Sequence, residues 1–305
     1  MDPLSALVAL IRPQTVFSKT VYAAGRWAVR PPRVGNAGFG VVLKGNCELR
    51  IDGGPLIELA AGDFILLPSS RDFVLASDCD IGDDEANLSA CTTAEAFFGD
   101  SSQMPDFALL GGSFRFSHAD TPLLQQVLPA FVHISAANGS ARRLAHTIDL
   151  LADEAQERRP GRDLVLERLV EVMLIEALRN GADQPGTQFR PGLLAGLADP
   201  RINRALESFH ADIAAAWTVA SLAAQASLSR TAFSERFTRL VGVPPMTYVL
   251  EWRIAVAQDI LLREHLPQEA VAAAVGYQSA SAFSTAFRRK VGQAPGEYIR
   301  ARQAT

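Results

Sequence analysis

The chain has 305 residues, 48% of them hydrophobic and 20% charged, which is the composition of a globular protein with enough length for two domains. No stretch reaches about 18 uncharged apolar residues, and Met1-Asp2-Pro3 lacks the basic start of a secretory signal, so neither a membrane span nor export is expected. The net charge of −4 is unevenly spread: residues 201–305 hold 12 Lys+Arg against 8 Asp+Glu, and the rest hold 17 against 25, the balance of a nucleic-acid-binding domain joined to an acidic one.

At the start, Asp2 can cap a short helix running to about Ile11, with Pro3 in its first turn. From Thr20 to Phe116 the pattern changes to short apolar or alternating runs. Phe39–Leu43, Cys47–Ile51, Leu56–Leu59, Phe64–Leu67 and Phe73–Ala76 read as strands, separated by turn clusters such as Lys44-Gly45-Asn46 and Asp52-Gly53-Gly54. Close-spaced strands of this kind predict a β-sandwich or barrel. The acidic stretch 77–103 reads as loop, broken by a strand near Leu88–Cys91.

Three segments carry a resemblance. Gly40 to Gly45, Leu49-Arg50-Ile51-Asp52-Gly53 and Gly62-Asp63-Phe64-Ile65-Leu66-Leu67-Pro68 are similar to the two motif regions of a cupin, over roughly residues 1–120. The resemblance implies a sensor domain of the kind joined to DNA-binding domains. Metal-binding cupins carry His in both motifs, whereas this chain has Gly40 and Phe73 at those positions and no His before His118. Zinc and iron sites need converging imidazoles or carboxylates. No metal, no cofactor and no enzymatic role are therefore expected.

Residues 121–180 read as helical: one helix from Asp120-Thr121-Pro122 to about His133, a second from Ser140 to about Arg158, and a third over Asp163–Asn180, closed by Gly181. The apolar stripe of the third (Leu164, Leu166, Leu169, Val170, Met173, Leu174, Ala177, Leu178) fits packing on the sheet or a homodimer seam, which periodicity does not separate. Residues 181–198, with Pro185-Gly186 and Pro191-Gly192, read as a linker. Helix restarts at Asp199-Pro200.

The strongest signal is a repeat. Residues 229–248 and 279–298 share ten of twenty positions at one offset, among them Ser229/Ser279, Phe233/Phe283, Phe237/Phe287, Arg239/Arg289, Gly242/Gly292 and Tyr248/Tyr298. A fixed period means one supersecondary unit used twice. In each copy Ser caps a helix, two Phe four apart share one face, and Gly ends the helix. Short Ala-rich helices precede them at Val219–Ala226 and Glu269–Val275, so each copy is a helix-turn-helix, at about 219–242 and 269–292. Between them, Met246–Arg263 is a run without Pro or Gly that would span roughly 27 Å as a helix. Successive major grooves lie about 34 Å apart. Trp217 and Trp252 read as core residues.

With these features, residues 199–305 resemble the AraC/XylS-type DNA-binding domain. The predicted fold class is α+β: a cupin-like β-sandwich or barrel with flanking helices, then an all-α domain of two helix-turn-helix motifs. The resemblance implies a sequence-specific regulator that binds double-stranded promoter DNA, with an unknown small-molecule effector, and with RNA polymerase and a second copy as further partners. Carried over residue by residue, the base-facing positions are Thr231, Ser234 and Glu235 in the first motif and Ala280, Ser281 and Thr285 in the second. Arg230, Arg236, Arg239, Arg288, Arg289 and Lys290 are the phosphate candidates. Base contacts read sequence and phosphate contacts set position. Whether the protein activates or represses is open.

Two alternatives remain. One is a cupin-type enzyme fused to a DNA-binding domain. The other concerns the trigger: Cys47, Cys79 and Cys91, with no Cys-x-x-Cys pair, fit a reduced, cytoplasmic protein, in which they serve either as thiol redox sensors or as small buried hydrophobes.

Overall fold

The alternating runs near the start build two sheets. In the computed structural model, which describes residues 2–11, 14–31, 37–67, 72–78, 95–115, 131–136, 142–157, 159–183, 191–264 and 266–303, ten strands are formed. They are β1 (Gln14–Ala24), β2 (Ala28–Val29), β3 (Ala37–Lys44), β4 (Asn46–Ile51), β5 (Leu56–Ala60), β6 (Phe64–Leu67), β7 (Phe73–Ala76), β8 (Glu95–Gly99), β9 (Phe107–Arg115) and β10 (Val132–Ile134). One sheet has the order β10-β6-β3-β9-β1-β8, the other β2-β7-β4-β5. Strand side chains alternate between faces. Val21, Val42, Ile65 and Leu109 from the larger sheet meet Val29, Cys47, Leu49, Leu59 and Leu75 from the smaller in one apolar core.

The opposite face of the larger sheet, with Val41, Phe64, Leu66 and Leu110 buried, takes two helices. These are α2 (Arg142–Gln156), which packs on β3, and α3 (Arg162–Asp183), which packs on α2, β1 and β10. Ile148 and Leu151 of α2 and Leu166, Val170, Met173, Leu174 and Leu178 of α3 are buried. Leu164, Val165 and Val172 of α3 stay exposed.

The five strands expected between Phe39 and Ala76 form, within one or two residues of their predicted ends. The other five, β1, β2, β8, β9 and β10, are additions. β1 and β9 pair antiparallel as the longest ladder, and β8 pairs parallel to β1 within the stretch expected to be loop. Residues 132–134 are strand rather than the end of a helix: β10 pairs with β6, and Asp63 anchors it by accepting from Ala136 N at 2.9 Å and lying 3.0 Å from His133 Nε2. The rest of that expected helix, the strand near Leu88–Cys91, and Cys79 and Cys91 lie outside the described residues.

Residues 2–11 and 191–303 belong to a second, helical unit. Its elements are α1 (Pro3–Ile11), α4 (Leu193–Ala198), α5 (Pro200–Ala211), α6 (Val219–Gln225), α7 (Arg230–Val241), α8 (Pro245–Arg263), α9 (Gln268–Ala274), α10 (Ala280–Val291) and α11 (Pro295–Gln303). Asp2 caps α1 by accepting from Ser5 N at 2.9 Å. The helix packs on α5 and α8 with Leu7 and Leu10 buried. In the segment read as linker, α3 continues to Asp183 and α4 lies against α5 and α7. Among the described residues no helix is long and apolar enough to cross a membrane.

Candidate nucleic-acid interface

Each helix-turn-helix is built from local chemistry. Thr218 and Ser221 form a reciprocal capping box at the start of α6. Ser229 opens α7 by accepting from Ala232 N at 3.3 Å, and Ser279 opens α10 by accepting from Ala282 N at 3.2 Å. Gly242 and Gly292 end these helices with φ of 89° and 85°, the left-handed region that glycine enters without strain. The turns differ. Residues 226–229 join α6 to α7, with Ser227 at φ 53°, whereas 275–279 join α9 to α10, with Gly276 at φ 78°. A Cβ at Gly276 would stand 2.5 Å from Ala214 O, so the second turn is pressed against the first motif's entry loop.

The apolar faces repeat closely. Phe233 and Phe237 have centroids 5.5 Å apart, as do Phe283 and Phe287. Phe237 stands 5.7 Å from Tyr248, and Phe287 5.6 Å from Tyr298. All four Phe are buried. Between the motifs, α8 has 19 residues, about 28 Å at helical rise. Its first half, with Tyr248 and Trp252, closes the first motif, and its second half, with Ile254, Ala257 and Leu261, joins the core of the second. Trp252 is buried and Trp217 half-buried beside Phe209, its Nε1 donating to Asp212 O at 2.7 Å.

This packing turns the other face of each helix outward. Arg230, Thr231, Glu235 and Arg239 of α7 are exposed and Ser234 is half-buried. On α10, Ser281, Thr285, Arg288 and Arg289 are exposed and Ala280 is half-buried. Thr285 Oγ1 donates to Ser281 O at 3.0 Å, folding back on its own helix.

Two of the six phosphate candidates are committed inside the unit. Arg236 Nε donates to Asp199 Oδ2 at 2.9 Å. Asp199 also caps α5 by accepting from Arg201 N and Ile202 N, both at 3.1 Å. Burial pushes its carboxyl up, but the bonds from Arg236, Ile202 and Arg201 outweigh this and hold it below the ordinary aspartate value. Lys290 pairs with Glu251 of α8, which is 3% exposed. Arg230, Arg239, Arg288 and Arg289 form no ion pair among the described residues. Asp199, Glu251 and Arg253 were not singled out as positioning residues in the sequence. Arg253 ties α8 to the entry loop, with Nε 2.8 Å from Ile213 O and Nη2 2.6 Å from Ala215 O. All three partners are some 40 positions away, beyond any local pattern.

In the sheet unit the cupin fold implies a metal, and the two positions where metal-binding cupins carry His, Gly40 and Phe73, do not fit one. A Cβ at Gly40 would lie 3.0 Å from Ile65 Cγ1, and Phe73 packs against the apolar core. Among the described residues no group of three or more His, Cys, Asp or Glu comes together. Cys47 is buried in that core, and burial, with smaller pushes from Asp63 and Glu48, drives its thiol up to about 12.

A double-sheet unit followed by two helix-turn-helix motifs on a shared spacer helix defines a DNA-binding protein with a separate N-terminal domain. The family comparisons agree. A Cupin model matches residues 2–183 and a Helix-turn-helix domain model matches 222–301. A putative AraC-like transcription regulator of Streptomyces lividans is 36% identical over 301 residues, 98% of each chain. The HTH-type transcriptional regulator AlkR of Acinetobacter baylyi is 28% identical, over 98% of this chain and 99% of that one. Among solved structures, the DNA-binding domain of AdpA in complex with a target DNA is 30% identical and covers 35% of this chain and 95% of its own, with a TM-score of 0.33. The chain belongs to the AraC-like family of DNA-binding transcription regulators.

Proposed function

We propose that α7 and α10 read two successive segments of a promoter and that the sheet unit senses a small-molecule effector. The observation that carries the DNA reading is the doubled exposed face. In both motifs a buried Phe pair and a glycine stop force the short polar and basic residues outward, with α8 setting their spacing. Ser234 and Glu235 then contact base edges, helped by Thr231. In the second motif Ala280, Ser281 and Thr285 offer only short side chains, so its contribution leans on shape and phosphate contact. Arg230, Arg239, Arg288 and Arg289 take phosphates. Arg236 and Lys290 act chiefly by holding α7 and α10 in place.

The test is binding of the full chain to a panel of duplexes over a salt series. Arg239→Ala and Arg289→Ala weaken binding to every duplex and each lower the salt slope by about one. Ser234→Ala and Glu235→Ala change which duplex is preferred. If both classes of variant act alike, the division of roles is wrong.

The sheet unit is read as a sensor rather than an enzyme because the positions that would ligate a metal are apolar. A small molecule is favoured over thiol chemistry at Cys47 because a buried thiol pushed to about 12 supplies little thiolate. A homodimer is favoured by α3, where Val165 and Val172, seven apart, and Leu164 stay exposed beside the buried stripe. Light scattering on Val172→Glu checks this: a dimer becomes a monomer, and an unchanged mass refutes the seam.

A further inference from the structure

The two motifs meet at a second place besides the spacer helix. Residues 212–217, between α5 and α6, form a loop stiffened by its own bonds. Asp212 Oδ1 accepts from Ala214 N and Ala215 N, both at 3.1 Å, and Trp217 Nε1 donates to Asp212 O. Arg253 of α8 grips the loop on either side of Ala214: Nε donates to Ile213 O at 2.8 Å and Nη2 to Ala215 O at 2.6 Å. Ala214 itself meets the turn of the second motif. A Cβ on Gly276 would stand 2.5 Å from Ala214 O, 2.9 Å from Ala214 Cα and 2.8 Å from Arg253 Nη2. Glycine lets the turn come this close, and its φ of 78° is one that a side chain strains.

The joint connects to both DNA-facing helices. Arg253 lies at the changeover of α8, between Trp252, which packs with Tyr248 in the first motif, and Ile254, which joins the core of the second. Beyond Gly276 the contact runs on to α10. Gly276 N donates to Ala273 O at 3.0 Å and Tyr277 N to Ala272 O at 2.8 Å, which ties the turn to α9. The Tyr277 ring stands 5.7 Å from that of Phe283, a buried residue of α10.

A single helix sets a distance better than it sets an angle. Long helices bend, and the apolar packing of each motif on α8 is non-directional. Hydrogen bonds are directional, and the planar guanidinium carries donors in a fixed fork that spans two carbonyls. On B-DNA one base pair is a step of about 3.4 Å and, at roughly 10.5 pairs per turn, a rotation of about 34°. Resting on the reading that α7 and α10 contact successive segments of a duplex, we propose that this joint fixes the phase of the two helices, so that Arg253 and Gly276 decide which half-site spacing the protein accepts. Neither residue touches DNA in this role; both are positioning residues.

The experiment uses the full chain and a duplex that the parent selects from a random library, with one base pair added or removed at the centre of its footprint. The parent binds the shifted duplexes about 10–100-fold more weakly. For Gly276→Ala and Arg253→Met the difference shrinks to within about 3-fold. The readout is a ratio of affinities for one preparation, so a lower folded fraction cancels from it. Gly292→Ala, whose added Cβ meets nothing within 4 Å, keeps the parent ratio. Arg289→Ala added to Gly276→Ala weakens binding to all the duplexes, because the second motif still touches DNA. The proposal is overturned if either joint variant keeps the parent ratio, if Gly292→Ala loses it as well, or if Arg289→Ala has no further effect in Gly276→Ala, which would mean that the second motif has melted. A parent that binds shifted and selected duplexes equally removes the reading of α7 and α10 as a linked pair. A parent that discriminates, with joint variants that do so equally, removes the joint alone.

Discussion

Lys290, in the last turn of α10, pairs with Glu251 of α8, a carboxylate 3% exposed and 39 positions earlier in the chain. The pair fixes α10 on the spacer helix α8. Removing one partner strands the other: Lys290→Ala leaves a buried carboxylate unpaired. The expected cost is about 2–3 kcal/mol, below the about 3–5 of a fully buried pair because the ammonium is 30% exposed. Replacing both partners, Lys290→Met with Glu251→Gln, recovers most of it, while Arg289→Ala stays within about 0.5 kcal/mol of the parent. Urea unfolding of the four proteins checks the order.

The two helix-ending glycines occupy the same conformation in different surroundings. A Cβ at Gly242 would lie 3.0 Å from Pro191 Cβ, and one at Gly292 would meet nothing within 4 Å. Gly292→Ala is therefore expected to cost only the left-handed strain, about 1 kcal/mol, and Gly242→Ala measurably more. Equal losses in urea unfolding would show that Pro191 yields freely.

His210 is buried, with Nε2 2.8 Å from Tyr248 Oη and Nδ1 unpartnered. Burial is the main reason its pKa falls from 6.5 to about 3. The folded-state value is depressed, so the unfolded chain takes up a proton that the native chain refuses. The contribution is fully present above pH 6.5 and declines by up to about 1.4 kcal/mol per unit as pH falls toward 3. Stability measured from pH 7.5 to 4.5 should drop accordingly in the parent, and His210→Gln should flatten the profile.

Cys47 should resist alkylation at pH 8 in the folded chain and react once urea exposes it, since burial removes both access and thiolate. Peptide mass spectrometry reads the site directly. Rapid native labelling of Cys47 would reopen it as a redox centre.

The helix-turn-helix pair was legible because its information is local. Capping serines, Phe four apart and terminating glycines act within a dozen residues, and the repeat states them twice. The strands from β3 to β7 were legible for a similar reason, alternation bounded by turn residues. β1 and β9 were not, because Lys19, Gly111 and Gly112 interrupt the alternation where the sheet departs from an apolar core. β8 has no signal of its own and becomes a strand only by pairing with β1. The tertiary structure alone decided which basic residues face outward: Arg236 and Lys290 look like Arg239 and Arg289 in the sequence, but carboxylates 37 and 39 positions away hold them. Local spacing specifies which side of a helix a residue occupies, and only the folded chain specifies what waits on that side.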